Sequence, residues 1–291
     1  MSAQETTDAP LAAITHLGPG GAYPPELRDL LASTAGTAVA GANIVMQLAN
    51  LGVGHGVAES RVESGSLYAH PIKRARTTFS YVAVALLGTD EEREEMARVV
   101  TEVHRHVRNL PGEEMRYTAL DPKLQLWVAA CIYKGMEDAY AIVHGPPGPE
   151  MVAKIYPHAA RLATTLQVPA AMWPPDREAF EEYWDEAVRS IRMDDVTRAY
   201  LWDFTGLGFL PWPVPQLVGR FHRTITTGAL PDAFRRELGL PWGRRQQRVW
   251  DANARVLKVL DAVTPKPVRR LPMDLYLWDV RRRIRKGHAL V

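Results

Sequence analysis

Apolar residues recur along most of the chain at intervals of three and four, which is the spacing of one helical face. Strict alternation of apolar and polar positions, the mark of a half-buried strand, is scarce, and no Asn-Gly or Asp-Gly turn joins two apolar runs. The pattern therefore predicts an all-α protein. In residues 90–107 the apolar stripe consists of Met96, Val99, Val100, Val103 and Val107.

Start and stop signals bound several of the predicted helices. Pro71 suits the first turn of a helix and Gly88 its end. Residues 77–89 carry no charge, which predicts burial on nearly all sides. Asp90 is placed to cap the next helix, and Asp121, followed by a proline, to cap another. Further amphipathic stretches predict helices over roughly 149–168, 176–190, 194–204, 231–239 and 243–263.

Two stretches raise the question of membrane contact. Residues 30–58 contain no Asp, Glu, Lys or Arg, which is long enough to span a bilayer, but they include five glycines and three amide side chains. This composition favours close-packed buried helices over a transmembrane helix. The segment GLGFLPWPVPQLVG (206–219) is rich in proline and glycine, so it is not a regular helix. It is a packed connection, a pocket wall or a point of peripheral membrane contact.

Composition is that of an ordinary globular protein. The 291 residues are 46% hydrophobic and 23% charged, with a formal charge of +2, so no nucleic-acid footprint is indicated. The basic run 280–286 suits a solvated helix face or tail. Cys131 is the single cysteine and lies in an apolar run, as expected of a buried inert thiol. The polar, acidic N-terminal residues do not form a secretory signal, and we expect a cytoplasmic protein.

Candidate chemistry is concentrated in TEVHRHVRNL (101–110). On a helical wheel His104 and His106 flank the valine stripe, both partly turned inward, and periodicity does not choose between them. Motifs for zinc hydrolases, serine hydrolases and nucleotide-binding loops are absent from the chain, as are the Glu-x-x-His pairs of di-iron bundles. A lone histidine on such a scaffold fits a single axial ligand to haem iron, or an interfacial histidine with polar partners.

Six stretches taken together resemble a known family. In order along the chain they are ANIVMQLANLGVGHGVAES (42–60), KRARTTFSYVAVALLGTDEE (73–92), VTEVHRHVR (100–108), YTALDPKLQLWVAA (117–130), WPPDREAFEEYWDE (173–186) and TGALPDAFRRELGLPW (227–242). The family is that of the rubber oxygenase (latex clearing protein) and of the fungal oxygenase that shortens the prenyl chain in mycophenolic acid biosynthesis. The chain is similar to its uncharacterised bacterial branch over about residues 20–275.

The resemblance implies a single globin-reminiscent multi-helix domain over 20–275 that holds non-covalent haem b. A flexible N-terminal segment (1–19) and a basic C-terminal tail (276–291) would flank it. His104 matches the family's proximal iron ligand, and His106 has no counterpart there. Arg74 and Thr78 match a polar pair that we assign to the distal or propionate side of the haem. By analogy with a carboxylate of the rubber enzyme, Glu59 is a candidate distal base.

We therefore expect a haem b-dependent oxidoreductase, an oxygenase using dioxygen on a small hydrophobic substrate, with a pocket walled by residues 77–87 and 124–133. Relatives commonly carry histidine at the positions of Asn50 and Ala129. These departures leave open the alternative of a haem-free or catalytically altered member that binds a hydrophobic metabolite or a protein partner.

Overall fold

The computed structural model describes residues 23–62, 66–109, 112 and 115–290, and the N-terminal segment expected over 1–19 lies outside them. The described residues are helical, with one isolated bridge between Arg108 and Thr118, so the all-α prediction is confirmed. The first eight helices are α1 (Pro25–Leu31), α2 (Ala35–Leu48), α3 (Leu51–Ala58), α4 (Pro71–Leu87), α5 (Asp90–His104), α6 (Pro122–His144), α7 (Pro149–Ala159) and α8 (Arg161–Thr164). The remaining helices are α9 (Arg177–Ser190), α10 (Asp195–Thr205), α11 (Arg220–Gly228), α12 (Asp232–Leu238), α13 (Arg244–Val263) and α14 (Lys266–Lys286).

One large apolar core is organised around α6, which packs against α2, α8 and α13. Aromatic rings fill the space between α6 and the helices that follow it in the chain. Trp127 stacks on Trp184 with ring centroids 5.5 Å apart, and Tyr133 meets Phe180 edge-on at 5.0 Å. Such pairs contribute about 0.5–1.5 kcal/mol beyond their burial. The core thus fixes α6 and α9 against each other.

The second half of α4 is deeply buried. Residues from Ser80 to Leu87 are all buried, which confirms the prediction from the missing charges. Pro71 opens the helix and Gly88 follows its last residue, both as predicted. The first half of α4 is different, because it carries Arg74 and lies at the edge of the core. One helix therefore connects the packed interior to a polar region.

Capping explains where two of the helices begin. Thr89, not Asp90 as predicted, is the N-cap of α5: it accepts a hydrogen bond from the Glu92 N–H, and the Glu92 carboxylate accepts one from the Thr89 N–H. This reciprocal capping box makes Asp90 the first helical residue, where its charge still favours the helix dipole. Asp121 caps α6 through the Lys123 N–H at 2.8 Å, as predicted.

The uncharged stretch 30–58 forms α2 and α3 with close helix contacts. Gly54 on α3 lies against α10, where an added Cβ would approach the Leu48 carbonyl oxygen and the Thr197 hydroxyl to 2.7 Å each. Glycine is needed here for space rather than for backbone freedom. Within the described part of the chain, no helix combines the length and apolar character that crossing a bilayer requires.

One region differs from its sequence-based outline, and a second agrees with it. Residues 276–286, expected in a basic tail, are the second half of α14, which packs along α4 with Leu277 and Val280 buried. Pro267 and Pro272 made this helix difficult to predict from the sequence. It forms because tertiary packing stabilises its inner face. The expected irregular segment 206–219 is confirmed as irregular: it contains a cis Trp212–Pro213 bond and ends in a short π-turn at Pro215–Gly219.

Candidate functional site

The two histidines of the 101–110 segment have different environments. His104 is the last residue of α5 and is largely enclosed, whereas His106 lies in the following turn and is exposed. The His106 Nε2 atom is 3.8 Å from a Glu102 carboxylate oxygen, which is a solvent-side contact. The helical wheel did not choose between His104 and His106. The structure distinguishes them, because α5 ends before it reaches His106.

His104 is an enclosed imidazole without a hydrogen-bond partner. Its Nδ1 atom is buried and unpaired, and no side-chain hydrogen bond to this residue occurs among the described residues. Burial, together with the nearby positive charge of Arg74, lowers the pKa of His104 to about 4. The ring is therefore neutral at physiological pH, which is the form that binds a metal ion through a nitrogen lone pair.

Arg74, on the first half of α4, is exposed to solvent, yet burial within the surrounding protein lowers the pKa of its guanidinium. On a convex surface, a solvent-exposed arginine would not have its pKa lowered by burial. We infer from the exposure and the lowered pKa together that the Arg74 side chain projects into a recess which water can enter. The described residues give the guanidinium no ion pair or hydrogen bond. A desolvated cation of this kind is suited to bind a carboxylate or another anion.

Thr78 lies one turn further along α4, as its spacing from Arg74 predicts. Its hydroxyl donates a hydrogen bond to the Arg74 carbonyl oxygen at 3.0 Å. That bond uses the single hydroxyl proton, so the Thr78 oxygen can only accept a further hydrogen bond in this arrangement. Thr78 is the donor and the Arg74 carbonyl oxygen the acceptor, and the guanidinium remains as the donor group of the Arg74 side chain.

Tyr200, which the sequence did not mark, lies close to Arg74, and Tyr68 packs on Tyr200. Burial raises the pKa of Tyr200, on α10, to about 12, while the positive charge of Arg74 acts in the opposite direction. The Tyr68 hydroxyl donates to the Tyr200 carbonyl oxygen at 3.2 Å, and the two rings are 4.8 Å apart. Tyr200 is thus a neutral phenol near Arg74, whereas the Tyr68 hydroxyl proton is already donated to the Tyr200 carbonyl oxygen. No spacing in the sequence connects them to Arg74.

Glu59, the candidate base, is held by a histidine that was not singled out. His55 on α3 has its Nδ1 atom 2.8 Å from Glu59 and its Nε2 atom 2.5 Å from Asp194. Burial disfavours the charged ring, but the hydrogen bonds and charges of the two carboxylates outweigh it and raise the His55 pKa. The two carboxylates therefore stabilise the protonated form of the ring. Asp194 in turn caps α10 through the Thr197 N–H.

Most of the expected apolar pocket wall, residues 77–87 and 124–133, lies in the packed core. Residues from Ser80 to Leu87 and most of 124–133 are buried in the same core cluster and pack on their neighbours. Side chains such as Ala83, Val84, Ala129 and Ala130 have no exposed surface and so face no recess. The side chains whose pKa values respond to the charge of Arg74 are His104, at the end of α5, and Tyr200, on α10.

The donor set fits a cofactor that brings its own equatorial ligands. No cluster of three or more His, Cys, Asp or Glu side chains able to hold a metal ion occurs among the residues that the structure describes. An iron bound by protein side chains alone therefore has no ligand set there. One neutral, unpartnered histidine beside one unpaired arginine matches haem, which needs an axial nitrogen and a cation for its carboxylates.

The two positions at which relatives commonly carry histidine lie in separate surroundings. Asn50 is the N-cap of α3, accepting from the Gly52 N–H at 3.1 Å, and lines a surface cleft of about 530 Å³. This cleft also involves Trp127 and Tyr183, and it contains neither Arg74 nor His104. Ala129 lies fully buried in the core. The two departures therefore do not act as a pair.

Comparisons with known proteins give one family and two uncharacterized relatives. The family model described as "ER-bound oxygenase mpaB/B'/Rubber oxygenase, catalytic domain" matches residues 27–259. Uncharacterized proteins of Mycobacterium bovis (Mb2261) and Mycobacterium tuberculosis (Rv2237) are each 44% identical over 250 residues, covering 86% of this chain and 98% of the relative. No solved structure matches the chain.

Proposed function

The chain belongs to the mpaB/rubber oxygenase catalytic-domain family, and from this premise we propose that it is a haem b-dependent oxygenase acting on a small hydrophobic substrate, with His104 as axial iron ligand. The observation that carries the proposal is the state of His104. It is enclosed, neutral at physiological pH and without a hydrogen-bond partner among the described residues. The buried, unpaired atom is Nδ1; leaving such an atom without a partner costs about 1–3 kcal/mol, and this cost is offset if Nδ1 itself binds a metal.

The neighbouring side chains have distinct parts in this proposal. Arg74 holds a haem carboxylate by a charge-assisted hydrogen bond, which offsets the desolvation of its guanidinium. Thr78 accepts a hydrogen bond at the rim of the same recess, and Tyr200 donates one. Haem b, when bound, supplies the iron chemistry by which dioxygen is activated. The cofactor is non-covalent, because Cys131 is the one cysteine and it is buried in the core.

Glu59 has a more restricted part in the proposal. One of its oxygens accepts the His55 Nδ1–H, while its side chain stays 41% exposed to solvent. The second oxygen is therefore the atom that could hold or release a proton. We keep Glu59 as the proposed base, with His55 as the residue that fixes the carboxylate in place.

A haemin titration of the purified protein tests the proposal. The wild type should give a Soret band at one haem per chain, with the spectrum of an imidazole-ligated iron. His104→Ala should lose that ligand signature, whereas His106→Ala should keep it, because His106 is exposed and points to Glu102. Protein that acquires no Soret band, or a His104→Ala variant with an unchanged spectrum, would rule out the proposed ligand.

A second candidate function rests on the 530 Å³ cleft beside Asn50. Its volume suits a small ligand, and Trp127 and Tyr183 give it aromatic surface. In a haem-free member this cleft would bind a hydrophobic metabolite. An iron assay together with mass spectrometry of extracted ligands discriminates the two: iron and porphyrin support the first function, and an apolar ligand without iron supports the second.

A further inference from the structure

The last helix, α14, is apolar on two opposite faces, and one of them has no partner among the described residues. Its inner face packs on α1 and α4, with Leu277 and Val280 buried. Its outer face carries apolar residues at intervals of three, four and three, which form one stripe. These residues are Val268, Leu271, Leu275 and Trp278, each between 49% and 55% exposed.

The preceding helix, α13, repeats this arrangement. It packs on α6 and α11 and leaves a second apolar stripe on its outer side. The exposed apolar residues of α13 are Val249, Val256, Val259, Leu260 and Val263. We refer to the two stripes together as the α13–α14 surface. Scattered exposed apolar residues are normal on proteins, whereas rows along two consecutive helices mark an interaction site.

Positive charge is concentrated on the same two helices. α13 and α14 contain thirteen Lys and Arg residues and four Asp residues, while the whole chain has a formal charge of only +2. Six of these cations form ion pairs, for example Arg281 with Glu92 and Arg270 with Asp29. The other seven are exposed and without an ion pair among the described residues: Arg244, Arg245, Arg248, Arg255, Lys258, Arg285 and Lys286.

We propose that the α13–α14 surface docks on an anionic lipid bilayer. Valine, leucine and tryptophan side chains on a helix, flanked by unpaired arginine and lysine, are the composition of a helix that lies in a membrane interface. Each cation near such a surface adds to the binding, and Trp278 is suited to the headgroup level. The proposal does not depend on haem binding, since none of these residues lies in the recess beside Arg74.

Charge decides between a bilayer and a second copy of the chain. The spacing of the α14 stripe also suits helix pairing, so a dimer through this surface is the main rival. In a dimer, however, the seven unpaired cations of each copy would approach those of the other. Asp251 is the single acid of the two helices without an ion pair among the described residues, which is too little to compensate. An anionic lipid surface provides negative charge opposite the seven cations, whereas a second copy of the chain would place positive charge opposite them.

A second exposed apolar region serves as a comparison. In and beside the 206–219 segment, Trp212, Leu217 and Phe221 are exposed, Trp212 and Leu217 most strongly. Residues 206–221 contain one cation, Arg220, and no acid. This region has apolar surface without the surrounding positive charge. It therefore offers a matched control that separates apolar insertion in general from docking through α13–α14.

Vesicle sedimentation tests the proposal on the full chain. The wild type should bind phosphatidylcholine vesicles that contain phosphatidylglycerol, and bind pure phosphatidylcholine at least about tenfold more weakly, with binding reduced by salt. Leu271→Ser with Leu275→Ser and Trp278→Ser should abolish sedimentation. Trp212→Ser with Leu217→Ser and Phe221→Ser should leave it unchanged. Circular dichroism and the melting temperature establish that each variant is folded.

A charge variant makes the test sharper. Replacing Arg248, Arg255 and Lys258 by glutamine should weaken binding to anionic vesicles about a hundredfold, at about fivefold per charge. The matched control replaces Lys123, Arg189 and Arg236, three exposed cations elsewhere, and should have little effect. Three results would overturn the proposal: equal binding to neutral vesicles, binding lost only in the 206–221 variant, or no vesicle binding together with a dimer that the Leu271 variant dissociates.

Discussion

The Nε2 atom of His55 lies 2.5 Å from an Asp194 oxygen, which connects α3 to the first turn of α10. The other ring nitrogen is 2.8 Å from Glu59, so a single side chain bridges two carboxylates. Each nitrogen must carry a proton to donate in both directions, so the ring is an imidazolium. Because Asp194 also caps α10, the bridge fixes the helix that carries Tyr200 relative to the glycine-rich helix that ends at Glu59.

His55→Gln should destabilise the protein in a pH-dependent way. The pKa of His55 is raised, so the stabilisation is fully present below its unfolded value of about 6.5 and is lost as the pH rises through the higher folded value. At pH 6 we expect a loss of about 1.5–3 kcal/mol in the free energy of unfolding. Urea denaturation at pH 6 and pH 9 checks this. An equal difference between wild type and variant at both pH values would contradict a charged bridge.

Gly54→Ala tests the close approach of α3 to α10. The new methyl group would meet the Leu48 carbonyl oxygen and the Thr197 hydroxyl at 2.7 Å, and a backbone atom cannot yield as a side-chain tip can. We expect a loss of about 1–3 kcal/mol, despite the better helix propensity of alanine. Gly36→Ala in α2 is the control, since no atom lies within 4 Å of its added Cβ. Thermal melts of both variants provide the comparison.

Local signals in the sequence were enough for most helices but not for the site. Asp121 and Pro122 begin α6 as predicted, because capping depends on neighbours in the chain. α11 and α14 were missed, since β-branched residues in one and prolines in the other oppose the helix and tertiary packing overrides them. The His55–Asp194 bridge joins residues 139 positions apart. No local sequence signal predicts a contact over that separation. His55 lies in the stretch 42–60 and Asp194 in the predicted helix 194–204, but neither stretch indicates the other.

Restoring histidine at position 129 should be costly, and at position 50 mild. Ala129 has no exposed surface, so a histidine there forces the core apart and buries a polar ring. We expect Ala129→His to destabilise by about 3 kcal/mol or more. Asn50→His replaces a helix cap at the rim of a cleft and should cost about 0.5–2 kcal/mol. Chemical denaturation of the two variants measures both losses in the free energy of unfolding. A well-tolerated Ala129→His would show that the core around α6 can rearrange to admit the larger side chain.

Arg74→Gln should weaken haemin binding about tenfold to a hundredfold, which corresponds to the 1.5–3 kcal/mol of a hydrogen bond to a charged group. The guanidinium has no partner among the described residues, so its loss should leave the free energy of unfolding of the haem-free protein unchanged or raised. Arg105→Gln is the matched control, because Arg105 follows His104 but pairs with Glu102 in solvent. Haemin titrations of the two variants should differ clearly. Similar affinities would remove Arg74 from the proposed site.

The haem-free protein should lose stability between pH 6.5 and pH 4 through His104. The pKa of this ring is about 4 in the folded protein and about 6.5 in the unfolded chain. Between these two pH values the unfolded state binds a proton at His104 and the folded state does not, so a fall in pH favours unfolding. Over that interval the free energy of unfolding should fall by up to about 3 kcal/mol on account of this one residue. His104→Phe should flatten the fall, and His106→Phe should not, since His106 is exposed. If the two variants had the same pH profile, the imidazole at position 104 would be solvated rather than enclosed beside Arg74, and the proposed ligand would lose its support.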